Sequence, residues 1–170
     1  AYEPTRWFLA NWPDFYEGMY INAIKVLIGM AEKEDDPERK LQLAYSLMMV
    51  YDMRMDYYGE KPVLYAYKAQ YGFKFFSKAE SRDVQLYKIL RDYHEKAGPK
   101  WNEKLLQLYM YYIYKVYDED PEKSKVELDR SAMIDTYFAI NDYLTEQMDS
   151  AEEGSKEAQT AEAVLKEVDK

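Results

Sequence analysis

Four charged breaks that contain Pro or Gly divide this chain into segments of helical length. The breaks are EDDPERK at 34–40, YGEKP at 58–62, KAGPK at 96–100 and DEDPEKSK at 118–125. Proline removes a backbone donor and clashes with the preceding helical turn, and glycine tolerates the backbone conformations that end many helices. The segments between the breaks lack the alternating pattern of strands. The sequence therefore predicts an all-α chain.

The predicted helices cover most of the chain. Their expected bounds are 14–34, 37–58, 62–77, 82–97, 100–117 and 131–148, with a further helix at 155–168. Asp36 before Pro37 predicts an N-cap followed by a proline in the first turn, and Gly59 is placed to end that helix. In RWFLANWPDF, Trp7 and Trp12 are expected to belong to a short helical or irregular cap that closes an end of the core.

Apolar residues occupy more than one face of the central helices. In the helix at 37–58, YSLMMVYDMRMDYYG (45–59) contributes to two adjoining stripes, one through Tyr51 and Met55 and the other through Leu47 and Val50. The helix at 100–117 shows the same pattern, which indicates that neighbours flank each helix on more than one side. We therefore expect antiparallel helix pairs stacked as a short α-solenoid, with a compact helical bundle as the alternative.

The composition changes near residue 148. Residues 149–170 contain seven acidic residues against three Lys and no aromatic residue, although a narrow apolar stripe would form on a helix from Ala161, Val164, Leu165 and Val168. We expect residues 1–148 to form one helical-repeat domain. Residues 149–170 would be an acidic linker or peripheral helix that leads into further repeats.

Charge and cysteine content exclude several classes of function. The 23 Lys and Arg against 32 Asp and Glu give a net charge of -9, which disfavours nucleic acid and anionic membranes as partners. Cysteine is absent, so disulfides and thiolate metal sites are excluded. The longest uncharged runs are too short to cross a bilayer, so no membrane span is expected.

Candidate metal and catalytic residues lack the spacing that chemistry requires. Met48, Met49, Met53 and Met55 carry soft thioether ligands, but helical spacing spreads them over different faces and predicts packing instead. His94 is the only histidine, lies near a helix C-terminus without a Glu-x-x-His or His-Glu-x-x-His motif, and is expected at the surface. Neither G-x-S-x-G nor a glycine-rich phosphate loop occurs. We therefore expect no catalytic residue, no cofactor and no metal site, and we expect a chain that is not an enzyme.

Tyrosine is the residue type with the strongest functional signal. The chain has 19 of them, and a tyrosine ring offers a large contact area with a hydroxyl that can stay hydrated. Tyrosines on the inner stripes are expected in the core: Tyr51, Tyr109 and Tyr112. Candidates for an exposed surface that binds a partner protein or peptide are Tyr65, Tyr67, Tyr71, Tyr111 and Tyr114.

Residues 32–76 resemble the N-terminal repeats of tetratricopeptide-repeat proteins common in Bacteroidetes. In that pattern a DP-x-x-K turn precedes a helix with LM-x-x-YD-x-R, followed by an aromatic-Gly-Glu turn and a Lys-bearing helix. Residues 36–40, 47–54, 58–60 and Lys68 match these parts. LLQLYMYYIYKVYDED and DRSAMIDTYFAINDYL resemble the next repeat pair, so the likeness spans about residues 20–148. The W-x-x-L-G-x-x-Y consensus is poorly kept.

The resemblance implies a noncatalytic scaffold, periplasmic or envelope-associated, that continues into further repeats, and a cytoplasmic location is the alternative. A related hypothesis makes the chain a subunit of a larger assembly, in which the acidic tail and the N-terminal aromatic residues are contact sites. The alternative from a different class is a helical bundle that binds a small ligand, or an enzyme, with an internal pocket lined by Tyr and Met.

Overall fold

The regular structure of this chain is helical. A computed structural model describes residues 2–77, 79–97, 102–118, 125–152 and 154–168, and no strand occurs within these ranges. Its helices are α1 (Tyr2–Asn11), α2 (Glu17–Lys33), α3 (Pro37–Tyr58), α4 (Pro62–Phe75), α5 (Arg82–Ala97), α6 (Glu103–Val116), α7 (Arg130–Ser150) and α8 (Lys156–Val168). The all-α prediction is confirmed.

Both ends of α3 follow from local sequence signals. The Asp36 side chain accepts a hydrogen bond from the backbone N–H of Glu38 at 2.9 Å, and Pro37 occupies the first helical turn. At the other end, Gly59 has φ 88° and ψ 146°, and its N–H donates to the carbonyl oxygen of Met55 at 2.9 Å. A residue with a β-carbon rarely adopts that positive φ. The predicted bounds of α3 are therefore the observed ones.

Other helix starts differ from the sequence prediction by a few residues. Helix α2 begins at Glu17 rather than at residue 14, because Tyr16 has an extended backbone with φ -164° and ψ 123°. Helix α6 begins at Glu103 because the Asn102 side chain accepts a hydrogen bond from the backbone N–H of Leu105 at 3.2 Å. The predicted start at residue 100 lies outside the described residues.

The chain divides into two compact units, Ala1–Arg82 and Asp83–Lys170. In the first unit α2 packs on α1 and α3, and α3 also packs on α4. Helices α2 and α3 are antiparallel, since Glu17 at the start of α2 binds Arg54 near the end of α3 at 2.8 Å. Helices α3 and α4 are antiparallel as well, because Tyr45 in α3 contacts Phe76 after the end of α4 at 5.1 Å between ring centroids.

The core of the first unit is formed by α2, α3 and α4. Its buried residues on these helices include Tyr20, Ala23, Ile24, Leu27, Ala31, Leu43, Ala44, Leu47, Met48, Val50, Tyr51, Met55, Leu64, Ala69 and Phe75. Met48 and Met55 are buried, whereas Met49 is exposed and Met53 is half-buried. The four methionines thus lie on different faces, as their spacing predicted. Lys68 is also buried, and its ammonium group donates to Asp52.

The second unit joins α8 to α6 and α7. Helices α7 and α8 pack on each other, and α6 packs on both. Helix α5 contacts α6 through the stacked rings of Tyr87 and Tyr109, whose centroids are 6.0 Å apart. Ala161 and Val164 of the predicted apolar stripe are buried. The residues predicted as a linker or peripheral helix therefore include a helix that packs on α6 and α7 within this unit.

The N-cap of α3 gives a direct test of the helix boundary. Asp36→Ala leaves the first backbone donors of α3 without their side-chain acceptor, so we expect the free energy of unfolding to fall by about 1 kcal/mol. Asp35→Ala is the matched control, because Asp35 is exposed and its side chain caps no helix in the described structure. Urea unfolding followed by circular dichroism measures both. Equal stability of the two variants would contradict the assigned cap.

Candidate interaction surfaces

Four of the five candidate tyrosines reach the surface, and one does not. Tyr67 and Tyr111 are exposed, Tyr114 is 79% exposed, and Tyr71 is half-buried with its ring stacked on Phe75 at 6.0 Å. Tyr65 is only 5% exposed. Its expected place on a surface is therefore wrong.

Helical spacing explains why Tyr65 is buried and Tyr67 is exposed. Tyr65 shares the buried face of α4 with Lys68, Ala69 and Gly72, which follow it at three-, four- and seven-residue steps. Tyr67 is two positions further along the helix and projects away from that face. The three inner-stripe tyrosines, Tyr51, Tyr109 and Tyr112, are all buried, so their assignment to the core is confirmed.

The exposed tyrosines belong to two separate surfaces. Tyr67 and Tyr71 lie one turn apart on α4 of the first unit, and Tyr111 and Tyr114 lie one turn apart on α6 of the second. The Lys115 ammonium sits 5.4 Å from the centroid of the Tyr111 ring, within the range of a cation–π contact. Each unit therefore carries its own pair of these rings.

A larger group of exposed rings lies at the start of the first unit. Trp7, Phe8, Trp12 and Phe15 form this N-terminal aromatic cluster, in which Trp7 and Trp12 meet edge to face at 5.5 Å. Trp7 is 53% exposed, Trp12 is 52% exposed and Phe15 is 71% exposed. The sequence predicted that the two tryptophans close an end of the core. Helix α1 is a helical cap as expected, but Leu9 is the side chain that it buries.

The turn after α1 holds these rings together. Trp12 donates its backbone N–H to the carbonyl oxygen of Phe8 at 2.8 Å, and the N–H of Phe15 donates to Trp12 at 3.2 Å. The Asn11 side chain adds a hydrogen bond to the carbonyl oxygen of Trp7 at 2.8 Å. The chain therefore reverses within a few residues and brings Phe15 next to Trp12, with a centroid distance of 6.3 Å.

A groove between α1 and α3 adjoins the cluster along α1. It encloses about 360 Å³ and is lined by Arg6, Leu9, Ala10, Ser46, Met49, Val50 and Met53. Unbranched, polarisable methionine side chains adapt to differently shaped partners. The sequence assigned the four methionines to core or interface packing, and Met49 and Met53 line this groove rather than the core.

The acidic side chains and the single histidine are also candidate ligands for a metal ion. Among the described residues, no group of three or more His, Cys, Asp or Glu side chains is placed to hold a metal ion. His94 is half-buried rather than fully at the surface as expected, with its ring 5.2 Å from that of Tyr109. Burial lowers the pKa of His94 and raises the pKa of Tyr109 above its usual value. Burial thus disfavours the charged form of both side chains.

None of the helices in the described ranges combines the length and the apolar composition that a bilayer crossing requires. This finding agrees with the sequence, in which no uncharged run is long enough to span a membrane.

The burial of His94 makes the stability of the chain depend on pH. Because its pKa is lowered in the folded state, the unfolded state binds the proton first as pH falls below 6.5. Its contribution to stability is therefore present above that pH and is lost as pH falls through the folded-state pKa. We expect the stability of the wild type relative to His94→Phe to decrease between pH 7 and about pH 5. Urea unfolding at each pH measures this difference, and a pH-independent difference would contradict the burial of the imidazole.

Comparison with known proteins did not identify a family for this chain. The chain matches no family model, and neither the curated proteins nor the solved structures yielded a match.

Proposed function

We propose that this chain is a noncatalytic protein-interaction module that presents exposed aromatic side chains to a partner protein or peptide. The N-terminal aromatic cluster is the observation that carries the proposal. Burying a side chain such as Phe15 typically stabilises a protein by about 1.5–3 kcal/mol, yet this ring and both tryptophans remain more than half exposed. Aromatic rings are enriched among the residues that dominate binding energy at protein interfaces.

The groove between α1 and α3 supports the same function. It is concave, its lining is largely apolar, and it shares α1 with the aromatic cluster. A partner that covers the cluster can insert an apolar side chain beside Met49 and Met53. A pocket beside exposed aromatic rings is typical of protein interfaces in which a few residues supply most of the binding free energy.

The proposed architecture is a short tetratricopeptide-like solenoid. Consecutive antiparallel helices in the first unit support it, as does α8, which packs on both α7 and α6 in the manner of stacked helix pairs. A periplasmic or envelope-associated scaffold, as part of a larger assembly, is the setting that the resemblance of residues 32–76 implies. The tyrosine pairs on α4 and α6 would be further contact positions in that assembly.

Truncation of the tryptophans tests the aromatic cluster. We expect Trp7→Ala/Trp12→Ala to weaken capture of a partner at least tenfold, because such residues at interface centres often contribute 2 kcal/mol or more. Tyr57→Ala is the control, since Tyr57 is similarly exposed on α3 of the same unit but lies outside the cluster. Quantitative pull-down from cells of the source organism, followed by titration of the captured protein, gives the ratio. Full capture by the double variant would refute the proposal.

The exposed pair on α6 is a separate test. Tyr111→Ala/Tyr114→Ala removes two exposed rings and one edge-to-face contact of Tyr112 at 5.2 Å, but leaves the buried Tyr112 side chain in place, so the cooperativity of thermal unfolding should be unchanged. We expect reduced partner capture from a chain that is otherwise folded. If this variant unfolds without cooperativity, these tyrosines serve packing and the assignment of the α6 surface is wrong.

A further inference from the structure

We propose that a second groove, which runs along α2 in the first unit, binds an acidic amphipathic helix of a partner protein. This α2 groove encloses about 450 Å³ and is lined by Lys25, Val26, Gly29, Met30, Lys33, Glu34 and Leu43. The proposal does not depend on the aromatic cluster, because none of its residues lines the groove. It goes beyond a general interaction function by specifying the chemistry of one partner.

The positive charges follow the axis of α2. Lys25, Gly29 and Lys33 recur at four-residue steps, so they lie on one side of the helix with the glycine between the lysines. At 1.5 Å per residue, the eight-residue separation places the two lysine positions about 12 Å apart. Val26 and Met30, both half-buried, form a parallel apolar row one position further along. The lining therefore combines polar groups with an apolar row, and a lysine lies near each end of that row.

Neither lysine has a counter-ion within the described part of the chain. Glu34 is the acidic residue of the lining, but both of its carboxylate oxygens are engaged elsewhere. Its Oε1 accepts from the backbone N–H of Asp36 at 3.1 Å, and its Oε2 pairs with Nε of Arg39 at 3.2 Å. Lys25 and Lys33 are thus available to an incoming ligand.

Three other lysines in the same unit do have acidic partners. Lys61 is paired with Glu17 at 3.6 Å, Lys74 is paired with Glu32 at 2.5 Å, and Lys68 is paired with Asp52. The chain as a whole has a net charge of -9. Two lysines without partners in so acidic a chain form a local positive site, and charge complementarity points to carboxylates on the occupant.

Gly29 indicates that the occupant comes close to the α2 backbone. A β-carbon at this position would meet no atom within 4 Å, so packing within the chain does not require glycine here. Glycine inside a helix costs about 1 kcal/mol relative to alanine. Its effect is a flat stretch of groove floor between the two lysines, where a partner helix can lie near α2.

The geometry specifies the partner. A helix aligned with α2 would present two carboxylates eight residues apart, one to Lys25 and one to Lys33, with an apolar residue midway that faces Gly29 and Met30. This is the groove-binding mode of amphipathic helices, in which residues at helical spacing supply the anchors.

A synthetic peptide tests this assignment on the full chain. The probe is an alanine-based helix of about 20 residues with two Glu eight positions apart and a Leu midway between them. We expect it to bind at low ionic strength and to perturb the backbone amide resonances of Lys25, Gly29 and Lys33. Lys25→Glu/Lys33→Glu should weaken binding at least about tenfold, since it replaces two attractive pairs with repulsive ones.

Charge exchange and matched controls make the test specific. The Lys25→Glu/Lys33→Glu chain should bind a probe in which Lys replaces both Glu, whereas Lys88→Glu/Lys104→Glu, at exposed lysines of the second unit, should bind the original probe normally. Gly29→Leu should weaken binding of the probe, because the leucine side chain would occupy the space above residue 29 in the α2 groove. Circular dichroism confirms that each variant is folded.

Several results would overturn the proposal: no binding of the probe by the wild type, equal loss in the two charge-reversal variants, or displacement of the probe by a single-stranded oligonucleotide at lower concentration. The last would indicate a phosphate ligand. Trp7→Ala/Trp12→Ala should leave probe binding unchanged, so failure of the α2 groove and failure of the aromatic cluster are distinguishable.

Discussion

Helix α3 carries apolar side chains on two sides, and both sides are buried by neighbouring helices. The packing of the first unit depends on this double burial. Leu47 and Tyr51 are buried, as are Met48 and Met55, because α2 and α4 both pack on this helix. A helix with a single apolar stripe needs only one neighbour, whereas α3 needs two. The remaining side of α3 carries Met49, which borders the groove shared with α1. Burial on two sides therefore leaves the third side of α3, with Met49, as the part that borders the groove.

Ion pairs at the edges of the helices support this arrangement. Arg54 of α3 donates to Glu17 of α2 at 2.8 Å, and that hydrogen bond lowers the pKa of the Glu17 carboxyl. Lys74 on α4 reaches Glu32 on α2 at 2.5 Å. The Lys74–Glu32 pair is exposed and so contributes little stability by itself, whereas the Arg54–Glu17 pair is partly buried. These pairs neutralise Arg54 and Lys74, while Lys25 and Lys33 beside the α2 groove have no counter-ion within the described part of the chain.

The sequence predicted features that depend on one or two neighbouring residues. Asp36, Pro37 and Gly59 determine the ends of α3 through local hydrogen bonds and backbone preferences, so those ends could be placed without knowledge of the fold. The sequence could not predict that Tyr65 is buried and Tyr67 exposed. Tertiary packing decides which of several apolar helix faces contacts a neighbouring helix. The exposure of Trp7 and Trp12 was missed for the same reason. An aromatic ring near a chain end fits a core and an interface equally well, and only its contacts distinguish them.

Gly59 shows that surface exposure does not measure how freely a position can change. It is exposed, and a β-carbon added to it would meet no atom within 4 Å, so crowding does not exclude a larger residue. Its backbone, with φ 88° and ψ 146°, lies close to a region that only glycine populates readily. Even Asn and Asp, which tolerate left-handed turns, gain little there, because ψ is far from the left-handed helical value. Substitution of this exposed residue is therefore restricted by its backbone φ and ψ angles and not by contacts with other residues.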